Sequence, residues 1–218
     1  SFLDLGKYEK ALICSDKCIE LDNKNPKYLN LKANILQKTE KDEEALKYVS
    51  KALELDPNNA NINYNKGNAL QKIGRNEEAL EYYDKALELN PNNILPLNNK
   101  GNTLLKLNRI EEAINCFNNA LQKDPKLAYA WYNKGNAYLR LNDFDTALEF
   151  YNNAINIDDK LIQAHTNRGL LFQRRKEYIK ALEIFSKTTE MKPDDPSTWY
   201  NKLVVLLILK EYEEALKC

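Results

Sequence analysis

Along most of the chain, apolar and small residues recur at intervals of three and four, the spacing that keeps side chains on one helix face. The pattern restarts every 34 residues. With Pro57, Pro91 and Pro125 set at frame position 32, full units begin at Pro26, Ala60, Ile94, Ala128 and Ile162, flanked by partial units at 1–25 and 196–218. Positions 4, 8 and 11 of each unit predict a first helix, A, and positions 17, 20, 24 and 27 a second, B. Between them, Gly74-Arg75, Asn108-Arg109 and Asn142-Asp143 are turn-forming pairs suited to a tight αα-hairpin. Proline at position 32 halts helix B before the next unit. The expected fold is all-α, a single α-α array of antiparallel helix hairpins over residues 1–218.

The small residues have a steric cause, since two helices approach closely only where side chains are nearly absent at the crossing. Position 20 is Ala11, Ala45, Ala79, Ala113, Ala147, Ala181 and Ala215. Position 8 is Ala33, then Gly67, Gly101, Gly135 and Gly169. A glycine inside a helix costs about 1 kcal/mol relative to alanine, so these predict tight packing against helix B. Large partners stand ready at position 24: Tyr83, Phe117, Tyr151 and Phe185.

These features, most completely in Tyr64 to Asn93, resemble the tetratricopeptide repeat family. The resemblance implies a right-handed superhelix whose A helices line an inner, concave groove. Three departures stand out. Position 7, usually apolar, holds Lys32, Lys66, Lys100, Lys134, Arg168 and Lys202, which predicts packed stems with charges reaching water. Asn63 and Asn76 replace large apolar residues and predict looser packing in unit 60–93. Leu203 replaces the small residue of the last hairpin and puts its geometry in question.

Charge changes the picture only when divided by helix. The chain has 32 Lys plus Arg against 32 Asp plus Glu, which gives no overall attraction to nucleic acid or anionic membrane. Positions 1–14 of the six A helices from residue 26 onward nevertheless hold 13 cations and no acid, which leaves 19 cations against all 32 acids elsewhere. The longest apolar run, Leu203 to Leu209, is far short of the roughly 20 residues needed to span a bilayer. Four cysteines, Cys14, Cys18, Cys116 and Cys218, make no disulfide framework and point by default to a reducing cytoplasmic setting. Both ends fall within predicted helices, so the chain reads as a segment of a longer array.

A helical wheel puts a polar stripe on helix A opposite its packing face. Asn65, Asn99, Asn133 and Asn167 stand at position 6, Asn68, Asn102 and Asn136 at position 9, and Lys72, Lys106, Arg140 and Arg174 at position 13. An amide both donates and accepts, so a row of them can pair with the backbone of an extended peptide. The cations would add a preference for acidic segments. The competing reading makes the stripe a merely solvated face. Toward the C-terminal end the stripe becomes apolar at Leu170, Val204, Leu207 and Ile208, a contact for a ligand anchor, a further repeat or another copy of the chain.

The partner expected is thus a protein or peptide, and the protein a scaffold rather than an enzyme. An alternative makes it the substrate-targeting arm of a larger enzyme such as a glycosyltransferase. RNA binding is less favoured, because six of the 13 A-helix cations lie at position 7, off the stripe. The family's carboxylate clamp for chaperone tails is not matched, since Asn30, Tyr64, Asn98, Tyr132, Thr166 and Tyr200 occupy the position of its first lysine. No catalytic residue, metal site or cofactor is expected. His165 falls at a packing position, and Cys14 and Cys18 lack companion ligands.

Overall fold

A computed structural model describes residues 2–217; Ser1 and Cys218 lie outside the described residues. The described residues form 13 helices and no strand, in two compact units divided between Asn119 and Ala120. The first holds α1 (Phe2–Leu21), α2 (Pro26–Lys38), α3 (Asp42–Leu55), α4 (Ala60–Lys72), α5 (Asn76–Leu89) and α6 (Leu95–Lys106), and α7 (Ile110–Lys123) runs across the division. The second continues with α8 (Ala128–Arg140), α9 (Phe144–Ile157), α10 (Ile162–Arg174), α11 (Tyr178–Met191), α12 (Pro196–Leu209) and α13 (Tyr212–Ala215). Frame position 15 of the first partial unit falls on Gly6, yet α1 continues through it unbroken.

Every other hairpin turns at position 15, which is left-handed in each case: Glu40, Gly74, Asn108, Asn142, Lys176 and Lys210, with φ between 59° and 83°. The N–H of the following residue reaches back to position 11, as Arg75 does to the Leu70 carbonyl at 2.9 Å and Glu211 to that of Leu206 at 2.9 Å. These bonds satisfy carbonyls that the ending helix would otherwise orphan. Glycine and asparagine adopt this backbone at low cost, whereas Glu40, Lys176 and Lys210 are held there by the hairpin. The last hairpin keeps the same turn despite Leu203.

Packing follows the small and large pairing closely. A Cβ added at Gly67 would lie 2.6 Å from Tyr83 Cε1, and one at Gly101 2.5 Å from Phe117 Cε1. Gly135 meets Tyr151 and Gly169 meets Phe185 at 2.6 Å in the same way. All four rings are fully buried, as are Ala79, Ala113, Ala147 and Ala181 one turn before them on the same helices, and Ala45. Each ring fills the space that a glycine leaves.

Two expectations are corrected here. The position 7 cations do not simply reach water; several heads lodge on helix B. Lys32 donates to Asp16 and to the Tyr48 hydroxyl at 2.7 Å, bridging α2 to the preceding and following B helices. Lys100 pairs with Asp84, and Arg168 donates to Asn152 at 3.1 Å. Lys66 and Lys134 sit over the rings of Tyr82 and Phe150 at 4.5 and 4.3 Å. Ring faces and carboxylates replace part of the lost hydration.

Asn63 does not loosen its unit either. It is fully buried, and its Nδ2 donates to the Pro57 and Asn59 carbonyls at 3.1 and 2.9 Å. Position 4 recurs as a donor to the carbonyl six residues back, in Trp131 to Pro125 at 2.9 Å and Trp199 to Pro193 at 2.8 Å. Each closes the loop between repeats. The Asn63 Oδ1 is buried without a partner, a cost of about 1–3 kcal/mol that tryptophan would not incur.

Candidate functional site

The A-helix stripe has to be assigned amide by amide. In the first unit, Asn99 on α6 donates through Nδ2 to Asn68 Oδ1 on α4 at 2.8 Å and to the Tyr64 hydroxyl at 3.0 Å. Asn68 Oδ1 also accepts from the Tyr83 hydroxyl on α5 at 2.9 Å. Asn65 donates to Asn30 Oδ1 on α2 at 2.9 Å. Asn65 and Asn99 therefore face the preceding A helix and fasten one repeat to the next.

The second unit repeats the network with every residue shifted by 68. Asn167 donates to Asn136 Oδ1 at 2.8 Å, which also accepts from the Tyr151 hydroxyl at 2.8 Å, and Tyr132 stands where Tyr64 does. Ring pairs accompany it, Tyr64 with Tyr83 at 6.1 Å and Tyr132 with Tyr151 at 5.9 Å between centroids. Burial raises the pKa of the Tyr83 and Tyr151 phenols, so both remain donors at neutral pH. Alternation of tyrosine with other residues at position 5, and of Tyr83 and Tyr151 with Phe117 and Phe185 at position 24, gives a two-repeat period within the 34-residue one.

The remaining stripe residues stand differently. Asn133 is buried and Asn102 half-buried, whereas Lys72, Lys106, Arg140 and Arg174 are exposed. The Nδ2 groups of Asn68 and Asn136 have no acceptor among the described residues. Asn68 lines an open cleft of about 350 Å³ with Gln37, Lys38, Glu40, Gln71, Lys72 and Asn99. Burial, and then the charge of Lys72, lowers the Lys106 pKa from its ordinary value. Lys72 and Lys106 thus feel each other's charge.

Gln37 and Gln71, at position 12, carry no sequence signal of their own. Gln37 donates to the Asn65 carbonyl at 3.0 Å and Gln71 to the Thr103 hydroxyl at 2.7 Å. The rings of Tyr83 and Tyr151 were expected to pack, but the hydroxyl bonds of Tyr64, Tyr83, Tyr132 and Tyr151 were not, although the alternation of these tyrosines is a signal that a search at the two-repeat period would find.

Leu170, Leu207 and Ile208 are 43%, 48% and 43% exposed, and Val204 is half-buried. Leu170 and Ile208 line a second-unit cleft of about 460 Å³, together with Leu139, Leu171, Asn167 and Arg174. Val204 and Leu207 do not line it.

His165 is fully buried, with Nε2 2.9 Å from the Asp159 carbonyl, the position 4 bond again, and Nδ1 unpartnered. Its ring is thus satisfied at one nitrogen only. Cys14 is exposed, Cys18 half-buried and Cys116 buried, all as free thiols. Among the described residues no group of three or more His, Cys, Asp or Glu could hold a metal, and no helix is long and apolar enough to cross a membrane.

No curated protein matches the chain in sequence. Solved structures do. The structure of MamA residues 41 to the end from Desulfovibrio magneticus RS-1 is 26% identical, with a TM-score of 0.64 over 78% of this chain and 96% of that one. A MamA RS-1 double mutant gives the same identity and score over 77% and 94%. PilF of Pseudomonas aeruginosa, at 20% identity, shares the fold with a TM-score of 0.74 over 97% of this chain and 90% of that one. Tetratricopeptide repeat models match residues 60–93 and 128–161, 82–115 and 1–25, and a TPR repeat model matches 33–74 and 101–142. With hairpins, knobs and turns in one register and these matches over most of its length, the chain belongs to the tetratricopeptide repeat family.

Proposed function

We propose that this protein-interaction scaffold binds an extended, acidic segment of a partner protein along the exposed edge of its A helices, without chemistry of its own. The carrying observation is the first-unit cleft, where the Asn68 N–H groups, without an acceptor among the described residues, stand beside Lys38 and Lys72, two cations against the single carboxylate of Glu40. Amide N–H groups suit the carbonyls of an extended backbone, and the ammonium groups suit carboxylates. The Lys106 pKa, lowered by burial first and by Lys72 second, is consistent with this reading, since a bound anion offsets both effects.

The division of labour differs from a uniform amide row. Asn65, Asn99 and Asn167 fasten repeats together, while Asn68 and Asn136 offer donors and Lys72, Lys106, Arg140 and Arg174 offer charge. Asn102 stays in the proposed contact set by frame position, whereas Asn133, buried at position 6, leaves it. Such binding is weak per contact, at about 0.5–1.5 kcal/mol for each hydrogen bond, and sensitive to salt.

The test is binding of an Asp- and Glu-rich peptide to the chain and to a Lys38→Gln, Lys72→Gln, Lys106→Gln variant. These side chains are exposed, so the variant should fold. Affinity should fall at least tenfold and lose most of its salt dependence; equal affinity would remove the cation row from the account.

A further inference from the structure

The second-unit cleft has a chemistry of its own. Leu139, Leu170, Leu171 and Ile208 line it, and no acid does. Arg174 lines it too, with its guanidinium 4.9 Å from the Phe144 ring centroid and no carboxylate partner among the described residues. Other arginines nearby are committed: Arg175 to Asp145 at 2.5 Å and Arg168 to Asn152. A guanidinium is planar, and stacking on a ring face leaves its in-plane N–H fork available to a carboxylate.

Asn167 lines both this cleft and a neighbouring polar one with Lys160, Ser197 and the paired Lys192 and Asp195. The two therefore meet at one side chain, which gives a bound chain a route onward. A passing segment fits that arrangement better than a chain end.

We propose that this cleft is an anchor pocket for an internal segment of a partner in which a large apolar side chain is followed by Asp or Glu. The apolar group fills the space between Leu139, Leu170 and Ile208, and the carboxylate takes two N–H groups of Arg174. The inference rests on the groove-binding reading and adds the selectivity that amide and ammonium contacts alone do not supply. Hydrophobic contact selects the anchoring residue; the guanidinium selects its C-terminal neighbour.

The test uses labelled peptides of ~10 residues, capped at both ends, in a Gly, Ser and Asp background, with a central Phe-Glu, Ala-Glu or Phe-Gln pair. A fourth carries Phe with a free C-terminal carboxylate in place of the Glu. Anisotropy should show the Phe-Glu peptide binding about tenfold or more tightly than Ala-Glu or Phe-Gln. Arg174→Gln should abolish the Glu-over-Gln preference and keep that for Phe over Ala, whereas Ile208→Asp should abolish the preference for Phe. The triple lysine variant should weaken all peptides alike and leave both ratios unchanged.

Equal binding of the Phe-Glu and Ala-Glu peptides overturns the pocket whatever the lysine variant does. Retained ratios with an inert lysine variant would instead overturn the first-unit cation row and leave the pocket standing. Preference for the free carboxylate overturns the internal-segment assignment. Sedimentation showing a dimer that Ile208→Asp dissolves, with no peptide preference lost, would assign the face to a second copy and overturn the pocket.

Discussion

Replacing Asn99 by alanine separates a stacking role from a purely ligand-facing one. The change removes Nδ2 donations to Asn68 Oδ1 and to the Tyr64 hydroxyl. Two hydrogen bonds at about 0.5–1.5 kcal/mol each give a gross loss of about 1–3 kcal/mol. Asn68 Oδ1 keeps its bond from Tyr83, so that acceptor is not orphaned. Alanine recovers up to ~0.7 kcal/mol of helix propensity, which leaves a net destabilisation of roughly 0.5–2 kcal/mol. Asn102→Ala, one turn on, has only the propensity gain and should be neutral or slightly stabilising. Urea unfolding followed by circular dichroism measures both, and a double-mutant cycle with Asn68→Ala isolates the coupling, expected at about 0.5–1.5 kcal/mol. If Asn99→Ala and Asn102→Ala are equally stable, with no coupling to Asn68, the inter-repeat role is wrong.

Particular contacts give three further outcomes. Gly101→Ala should destabilise by up to about 2 kcal/mol, because the gain of ~1 kcal/mol in propensity is outweighed by overpacking against Phe117; in a Phe117→Leu background it should become stabilising, as thermal unfolding would show. Burial holds the His165 pKa below its ordinary 6.5, so its contribution is fully present above that value and lost as pH falls through the folded one; a stability profile from pH 7 to 5 should decline, and His165→Asn, which can keep the bond to Asp159, should flatten it. Hydrogen bonds from Lys192 and Ser197 bring Asp195 from 3.8 to about 2, so the cap on α12 holds above pH 3.8 and weakens toward pH 2; NMR titration of its carboxyl should place the midpoint near that lower value, and a midpoint at 3.8 would show the cap is not formed in solution.

The helices, their hairpin order and the glycine-to-ring packing were legible in the sequence because each depends on local period and side-chain volume. Ala79 and Gly67 are small for a reason visible at fixed spacing, and Tyr83 is large for the same one. Periodicity alone also located the stripe, since position along a helix fixes the face. What it could not show was where each amide on that face is directed. Whether Asn99 meets a ligand or Asn68 depends on how closely α6 approaches α4, a distance between elements 34 residues apart that no local pattern encodes.

The position 7 cations show the same limit. Their stems were placed by spacing, but only the packing of successive B helices brought Asp16, Tyr48 and Asp84 within reach of Lys32 and Lys100. Asn63 showed it in reverse, reading as a packing fault until the folded inter-repeat loop put the Pro57 carbonyl against its Nδ2. The sequence by itself determined the repeat, the hairpin and the sign of charge on each helix, because these are properties of one chain segment and its neighbours. Tertiary structure decided which polar groups are spent in binding repeat to repeat and which remain open, because hydrogen bonds are short and directional and their partners are chosen only when helices meet.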